Sequence, residues 1–71
     1  MPYAANAELP EPLRRHLPAH AQDIFRAAFN NAFDRYHDDP DREEIAHRIA
    51  WAAVKRQYRK ASGIWIPKSG A

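Results

Sequence analysis

The sequence contains no cysteine and no threonine, and it has only two serines and two glycines. Without cysteine, a disulfide, a thiolate nucleophile and a cysteine-ligated zinc are all excluded. Two isolated glycines cannot form a glycine-rich phosphate loop, and neither Ser62 nor Ser69 follows the strand–turn–helix pattern of a nucleophilic serine. We therefore expect a protein that is not an enzyme and that binds no cofactor.

Long apolar runs are also missing. No stretch approaches the length that spans a bilayer, and Met1 to Asn6 lacks the basic residue and apolar run of a signal peptide. The absence of cysteine weakly favours a reducing compartment. We expect a cytoplasmic protein without stable membrane insertion, and its 71 residues provide one small domain, residues 1–71.

The chain does have helical periodicity in two long segments. From about Pro18 to Tyr36, apolar residues recur at alternating steps of three and one, which traces one face of an α-helix. A second helix is predicted from about Asp41 to Lys60. Because residues 37–40 form a short connection, we expect the two helices to be antiparallel neighbours. The predicted packing face of the second helix is Ile45, Ile49, Ala52 and Ala53, with His47, Trp51, Val54 and Tyr58 on the adjacent side.

Shorter elements are predicted near both ends of the chain. Pro10 to His16 favours a short helix, because a first helical turn tolerates proline. Ser62-Gly63 predicts the end of the second long helix, with the glycine just beyond it. Ile64-Trp65-Ile66 is β-prone and predicts either a strand pairing with Pro2-Tyr3-Ala4 or a tail packed on the helices. The expected fold class is all-α, a short N-terminal helix plus two long antiparallel helices, with at most a minor two-stranded pairing of the chain ends.

Charge is distributed unevenly along the sequence. Five acids, Asp38, Asp39, Asp41, Glu43 and Glu44, surround the start of the second helix, whereas residues 55–71 contain five bases and no acid. Both groups complement a helix dipole, so a solvated helix with capped ends is one interpretation of them. The acidic cluster lacks the glycine and ligand spacing of a calcium loop. Pro18 interrupts the helix that would align His16 with His20, so we predict no metal site.

The basic segment instead indicates a binding function. Cations interleaved with aromatic residues suit phosphate neutralisation and base stacking, which predicts a nucleic-acid-binding module as one alternative. The same segment would suit an acidic protein surface or anionic lipid headgroups. A third alternative is a structural protein that self-associates through its apolar face. The candidate partner-binding residues are Lys55, Arg56, Arg59, Lys60 and Trp65.

The sequence resembles the ChaB family over nearly its whole length. The resemblance rests on LPE (9–11), LPAHAQDIF (17–25), AFNNAFDRY (28–36), REEIAH (42–47) and AWAAVK (50–55), with Tyr58 and the opening Met-Pro-Tyr. ChaB proteins are small bacterial helical proteins named as regulators of a cation/proton antiporter. The resemblance therefore implies a non-enzymatic regulator whose partner is the antiporter or its accessory factors. ChaB-like segments also occur beside nucleic-acid-associated modules, which is consistent with the nucleic-acid alternative.

Overall fold

The computed structural model describes residues 2–68 of the chain. A short 3-10 helix, Asn6–Glu8, precedes three α-helices and a pair of β-strands. The elements are α1 (Glu11–His16), α2 (Ala19–Arg35), α3 (Arg42–Gln57), β1 (Tyr58–Ala61) and β2 (Ile64–Pro67). The fold is therefore mostly helical with one small antiparallel sheet, and the prediction of one short and two long helices is confirmed.

Helices α2 and α3 pack side by side in opposite directions. The start of α2 lies near the end of α3, where His20 Nδ1 is 3.1 Å from the Tyr58 hydroxyl. The end of α2 lies near the start of α3, where the Arg42 guanidinium covers the Phe33 ring. Phe25, in the middle of α2, is almost fully buried between them. A regular stripe of apolar side chains on α2 thus contributes Ala21, Phe25, Phe29 and Ala32 to the core.

The packing face of α3 differs from the predicted one by about one residue. Its fully buried side chains are Ala46, Ala50 and Val54, whereas Ile49 is 38% exposed. Ala52 is exposed as well. The aromatic rings of α2 explain this choice, because small alanine side chains allow the rings to pack close to the α3 backbone.

Two predictions about the C-terminal part of the chain are wrong: the second long helix does not extend to Lys60, and Ser62-Gly63 does not mark its end. Helix α3 ends at Gln57, and β1 then pairs antiparallel with β2 in a register that places Lys60 opposite Trp65. Ser62 and Gly63, with φ values of 52° and 80°, form the connection between the strands. Positive φ at both residues of a two-residue loop is typical of a type I′ hairpin turn. Ser62-Gly63 is thus a hairpin turn, not a helix end.

The N-terminal lead does not pair with β2 as proposed from the sequence. It docks on α2, where the Tyr3 backbone N–H donates to Asn30 Oδ1 at 3.1 Å. Asn30 Nδ2 donates back to the Tyr3 carbonyl oxygen at 2.7 Å. The buried side-chain amide of Asn30 thus satisfies the backbone of Tyr3, and β2 pairs with β1 instead. Within residues 2–68, none of the helices has the length and hydrophobicity needed to cross a membrane.

Candidate partner-binding site at the basic end

The five candidate residues lie on three different elements. Lys55 and Arg56 belong to the last turn of α3, as predicted. Arg59 and Lys60 lie on β1 and not on the helix, and Trp65 lies on β2. The predicted basic end of one helix is therefore a composite surface, formed by a helix end and a hairpin.

Strand alternation divides the basic residues of the hairpin between two faces. Lys60 lies opposite Trp65, and its face is shared with Tyr58, which is buried against the helices. Arg59 lies opposite Ile66 on the other face. Successive side chains of a strand point to opposite sides, so Lys60 and Trp65 share the face of the sheet that carries Tyr58, and Arg59 lies on the other face.

Three of the five candidate residues meet in one groove of about 410 Å³. Lys55 forms part of its α3 wall, and Lys60 and Trp65 form its hairpin wall. Arg56 and Arg59 do not line this groove. The remaining walls come from residues that the sequence analysis did not assign to the site: Pro12, Leu13, His16 and Trp51.

The aromatic side chains of the groove are continuous with the core. The Trp65 and Trp51 rings have centroids 5.4 Å apart and planes inclined by 35°. Trp51 also contacts Phe25 edge to face at 5.4 Å and donates its indole N–H to His47 Nε2 at 3.3 Å. Contacts on several sides fix the orientation of Trp51, and Trp65 is held against it.

The positive charge of this end is not neutralised inside the described part of the molecule. The ion pairs found within residues 2–68 involve Arg15, Arg26, His37 and Arg48, and none involves a base from residue 55 onward. All four cations of the candidate site are exposed. No acidic residue lines the groove. The groove can therefore attract a negatively charged group while its two tryptophans contact an apolar one.

The histidines considered as metal ligands have separate partners. His16 Nδ1 is 2.7 Å from the Pro12 carbonyl oxygen, and His20 Nδ1 is 3.1 Å from the Tyr58 hydroxyl. Within residues 2–68, no three or more histidine, aspartate or glutamate side chains are arranged to hold a metal ion. The pair His16 and His20 thus contributes to local structure in α1 and to the contact between α2 and the hairpin.

Together, these features define a small helical-hairpin protein with a cationic, tryptophan-lined groove at one end. Residues 9–68 match the family model of ChaB, and the chain belongs to the ChaB family. It is 52% identical over 76 residues to an Escherichia coli K12 protein named "Putative cation transport regulator ChaB", covering 97% of this chain and 100% of the relative. A Shigella flexneri protein of the same name matches equally well.

A solved structure supports the fold. The chain is similar to the structure described as "NMR solution structure of the putative cation transport regulator ChaB", with a TM-score of 0.84 and 48% sequence identity. The similarity covers 96% of this chain and 100% of the other. The resemblance to ChaB proteins predicted from the sequence is confirmed.

Proposed function

We propose that this chain is a non-enzymatic, cytoplasmic regulator of cation transport that acts as a single domain through protein–protein contacts. Its partner is a cation/proton antiporter or an accessory factor of one. The names of its relatives in Escherichia coli and Shigella flexneri support the regulatory role. The observation that carries the contact surface is the cluster of exposed cations at the end of α3 and on β1, which has no counter-charge within residues 2–68.

The small set of nucleophilic residue types in the chain supports a binding role over a catalytic one. The sequence has no cysteine or threonine nucleophile. Two histidines make contacts within the fold, since His47 accepts from Trp51 and His20 contacts the Tyr58 hydroxyl. The aromatic side chains are used for packing, with Phe25 and Phe29 stacked between the helices. Within residues 2–68, the cations at the end of α3 and on β1 are exposed and form no ion pair, and exposed charge is suited to recognition.

The proposed function is tested by reconstituting a cation/proton antiporter from the same organism in proteoliposomes and measuring cation exchange. The purified chain, added at increasing concentration, is expected to change the exchange rate. A variant with Lys55, Arg56, Arg59 and Lys60 all changed to Glu is expected to lose that effect.

Its control replaces an exposed arginine near the C-terminal end of α1 and one near that of α2, Arg15→Glu and Arg35→Glu, and should behave as the unmodified chain. An exchange rate that the unmodified chain does not change would contradict the proposal. Helix content by circular dichroism confirms that each variant is folded.

A nucleic-acid accessory role is the second candidate function. The cross-strand pair of Lys60 and Trp65 favours it, because a cation beside an aromatic ring suits a phosphate next to a stacked base. Fluorescence anisotropy of labelled single- and double-stranded DNA and RNA provides the test. This function requires binding that weakens steeply from low to physiological salt, since neutralised phosphates release counterions. Absence of binding at low salt would eliminate it.

A further inference from the structure

We infer that the groove between α1, α3 and the hairpin binds a short acidic peptide segment of a partner protein, with an apolar side chain between its carboxylates. The inference deepens the proposed function and rests on its assumption that the partner is a protein. It names the chemistry of the partner and assigns the contact to Lys55, Lys60, Trp51 and Trp65, not to the whole basic surface. Arg56 and Arg59 then contribute only long-range attraction.

The lining of the groove has two complementary parts. Two lysines, one on α3 and one on β1, provide positive charge with no acid among the lining residues. Pro12, Leu13 and the two tryptophans provide an apolar surface beside them. Carboxylates match the lysines, and an apolar side chain matches the surface between α1 and the tryptophans. Contacts of this kind, a buried anchor within a charged rim, dominate the affinity of many protein interfaces.

The arrangement of the rings and cations favours a peptide over a polynucleotide. Trp51 and Trp65 already pack on each other at 5.4 Å, so a base cannot stack between them. Arg59 lies on the opposite face of β1 from Lys60, and Arg56 lies outside the groove. The cations therefore do not form one continuous track, which a polynucleotide backbone would need for successive phosphate contacts.

Recognition through side chains is also favoured over addition of a third strand. Strand β2 is only four residues long and ends in Pro67, which has no backbone N–H to donate. Trp65 instead presents its side chain to the groove. The partner segment is thus expected to lie in the groove between helix and hairpin, and not along the edge of the sheet.

The test measures binding of two labelled hexapeptides of equal charge by fluorescence anisotropy at low ionic strength. One is Asp-Glu-Phe-Glu-Asp-Leu, and the other, Asp-Glu-Ser-Glu-Asp-Ser, lacks the apolar side chains. The first is expected to bind at least about tenfold more tightly, because only it can fill the apolar part of the groove. Tryptophan emission of the chain should change with the first peptide and not with the second. Equal affinity for both peptides, or no binding by either, would overturn the inference.

Two double variants with the same charge change locate the site. Lys55→Glu with Lys60→Glu is expected to lower the affinity for the apolar peptide by at least about tenfold, whereas Arg56→Glu with Arg59→Glu should lower it by less than about threefold. All four side chains are exposed, and each double variant reverses one charge in the last turn of α3, so both variants should remain folded with similar melting temperatures. Equal losses in the two variants would contradict a groove-specific contact.

Two further measurements separate the other occupants. The first is a titration with labelled decathymidylate. If it binds more tightly than the apolar peptide, and if both double variants lower its affinity equally, the ligand of the site is a nucleic acid and not a peptide.

Sedimentation at several concentrations tests a second copy of the chain as the ligand, because its own acidic residues include Asp41, Glu43 and Glu44. If the chain self-associates and the Lys55 and Lys60 variant does not, the groove binds a second copy of the chain and not a partner protein. The peptide titrations contain no transporter, so their failure is distinct from a failure to regulate transport.

Discussion

The two ends of the helix pair carry opposite charge and use it differently. At the acidic end, Asp39 Oδ1 accepts the backbone N–H of Asp41 at 2.8 Å, and Arg42 donates twice to the Phe33 carbonyl oxygen. At the basic end, no cation from Lys55 onward forms an ion pair within residues 2–68. Charge at the first end stabilises a turn of the chain itself, whereas charge at the second end has no ion-pair partner within residues 2–68, as the proposed partner contact requires.

Arg42 shows why the acidic end is structural. Its guanidinium donates to the Phe33 carbonyl oxygen at 2.8 and 3.2 Å, and its central carbon is 3.6 Å from the centroid of the Phe33 ring. Phe33 lies in the last turn of α2, where backbone carbonyls have no partner inside the helix. One side chain at the start of α3 thus satisfies a carbonyl at the end of α2 and fixes how the two helices meet.

The largest stability effect is expected at this contact. Arg42→Ala should lower the free energy of unfolding by about 2 kcal/mol, because it removes two charged hydrogen bonds and a cation–π contact from a half-buried position. Urea denaturation followed by circular dichroism measures the change.

Arg48→Ala is the matched control on the same helix. Arg48 pairs with Glu44 at 3.2 Å, but both side chains are more than 70% exposed. Exposed pairs of this kind contribute little, so a loss of less than about 0.5 kcal/mol is expected. Equal losses for the two arginines would mean that the acidic end has no special structural role.

A smaller effect is expected in the hairpin that carries Lys60 and Trp65. Gly63→Ala should lower stability by about 1 kcal/mol, because an alanine at φ of 80° is strained. An added Cβ would meet no heavy atom within 4 Å, so the cost is conformational and not steric. Thermal unfolding measures the loss, and a change in tryptophan emission would report on the contact between Trp65 and Trp51.

Gly63→Asn provides the comparison for that change. Asparagine tolerates the left-handed region better than alanine, so the asparagine variant should retain more stability. If alanine and asparagine cost the same, the positive φ would not be the cause. If neither changes tryptophan emission, the turn does not control the groove.

The helical part of the fold could be predicted from the sequence, because apolar residues spaced by three and one along α2 indicate one face of an α-helix and no other structure. The prediction failed at the hairpin because Lys55 to Lys60 is composed mainly of good helix formers, which extended the predicted helix beyond Gln57. The signal for the turn was present. Ser-Gly separates Arg59-Lys60-Ala61 from Ile64-Trp65-Ile66 by two residues, which is the spacing of a hairpin, but the pair also suits a helix end.

The candidate site was predictable only in part for a related reason. Lys60 and Trp65 were chosen for their chemistry, and the hairpin then placed them opposite each other. The contribution of Pro12 and Leu13 depends on where α1 lies relative to α3 and the hairpin, and no local pattern encodes that placement. Trp51 was predicted to lie beside the packing face of the second helix and not in the candidate site. Its spacing of four from Lys55 was the one signal that it shares a helix face with the candidate site.

The smallest stability effect is expected where the binding effect is expected to be largest. Lys55→Ala with Lys60→Ala should change the free energy of unfolding by less than about 0.5 kcal/mol, as is usual for exposed side chains without partners. Two small contributions to the free energy of unfolding oppose each other. Lys55 stabilises the fold by complementing the α3 dipole, whereas both lysines destabilise it by repelling neighbouring cations. The repulsive term should grow as salt is lowered, so urea denaturation at two salt concentrations tests the balance. A loss above about 1 kcal/mol would make these lysines structural, like Arg42, and would remove the contrast between the two ends.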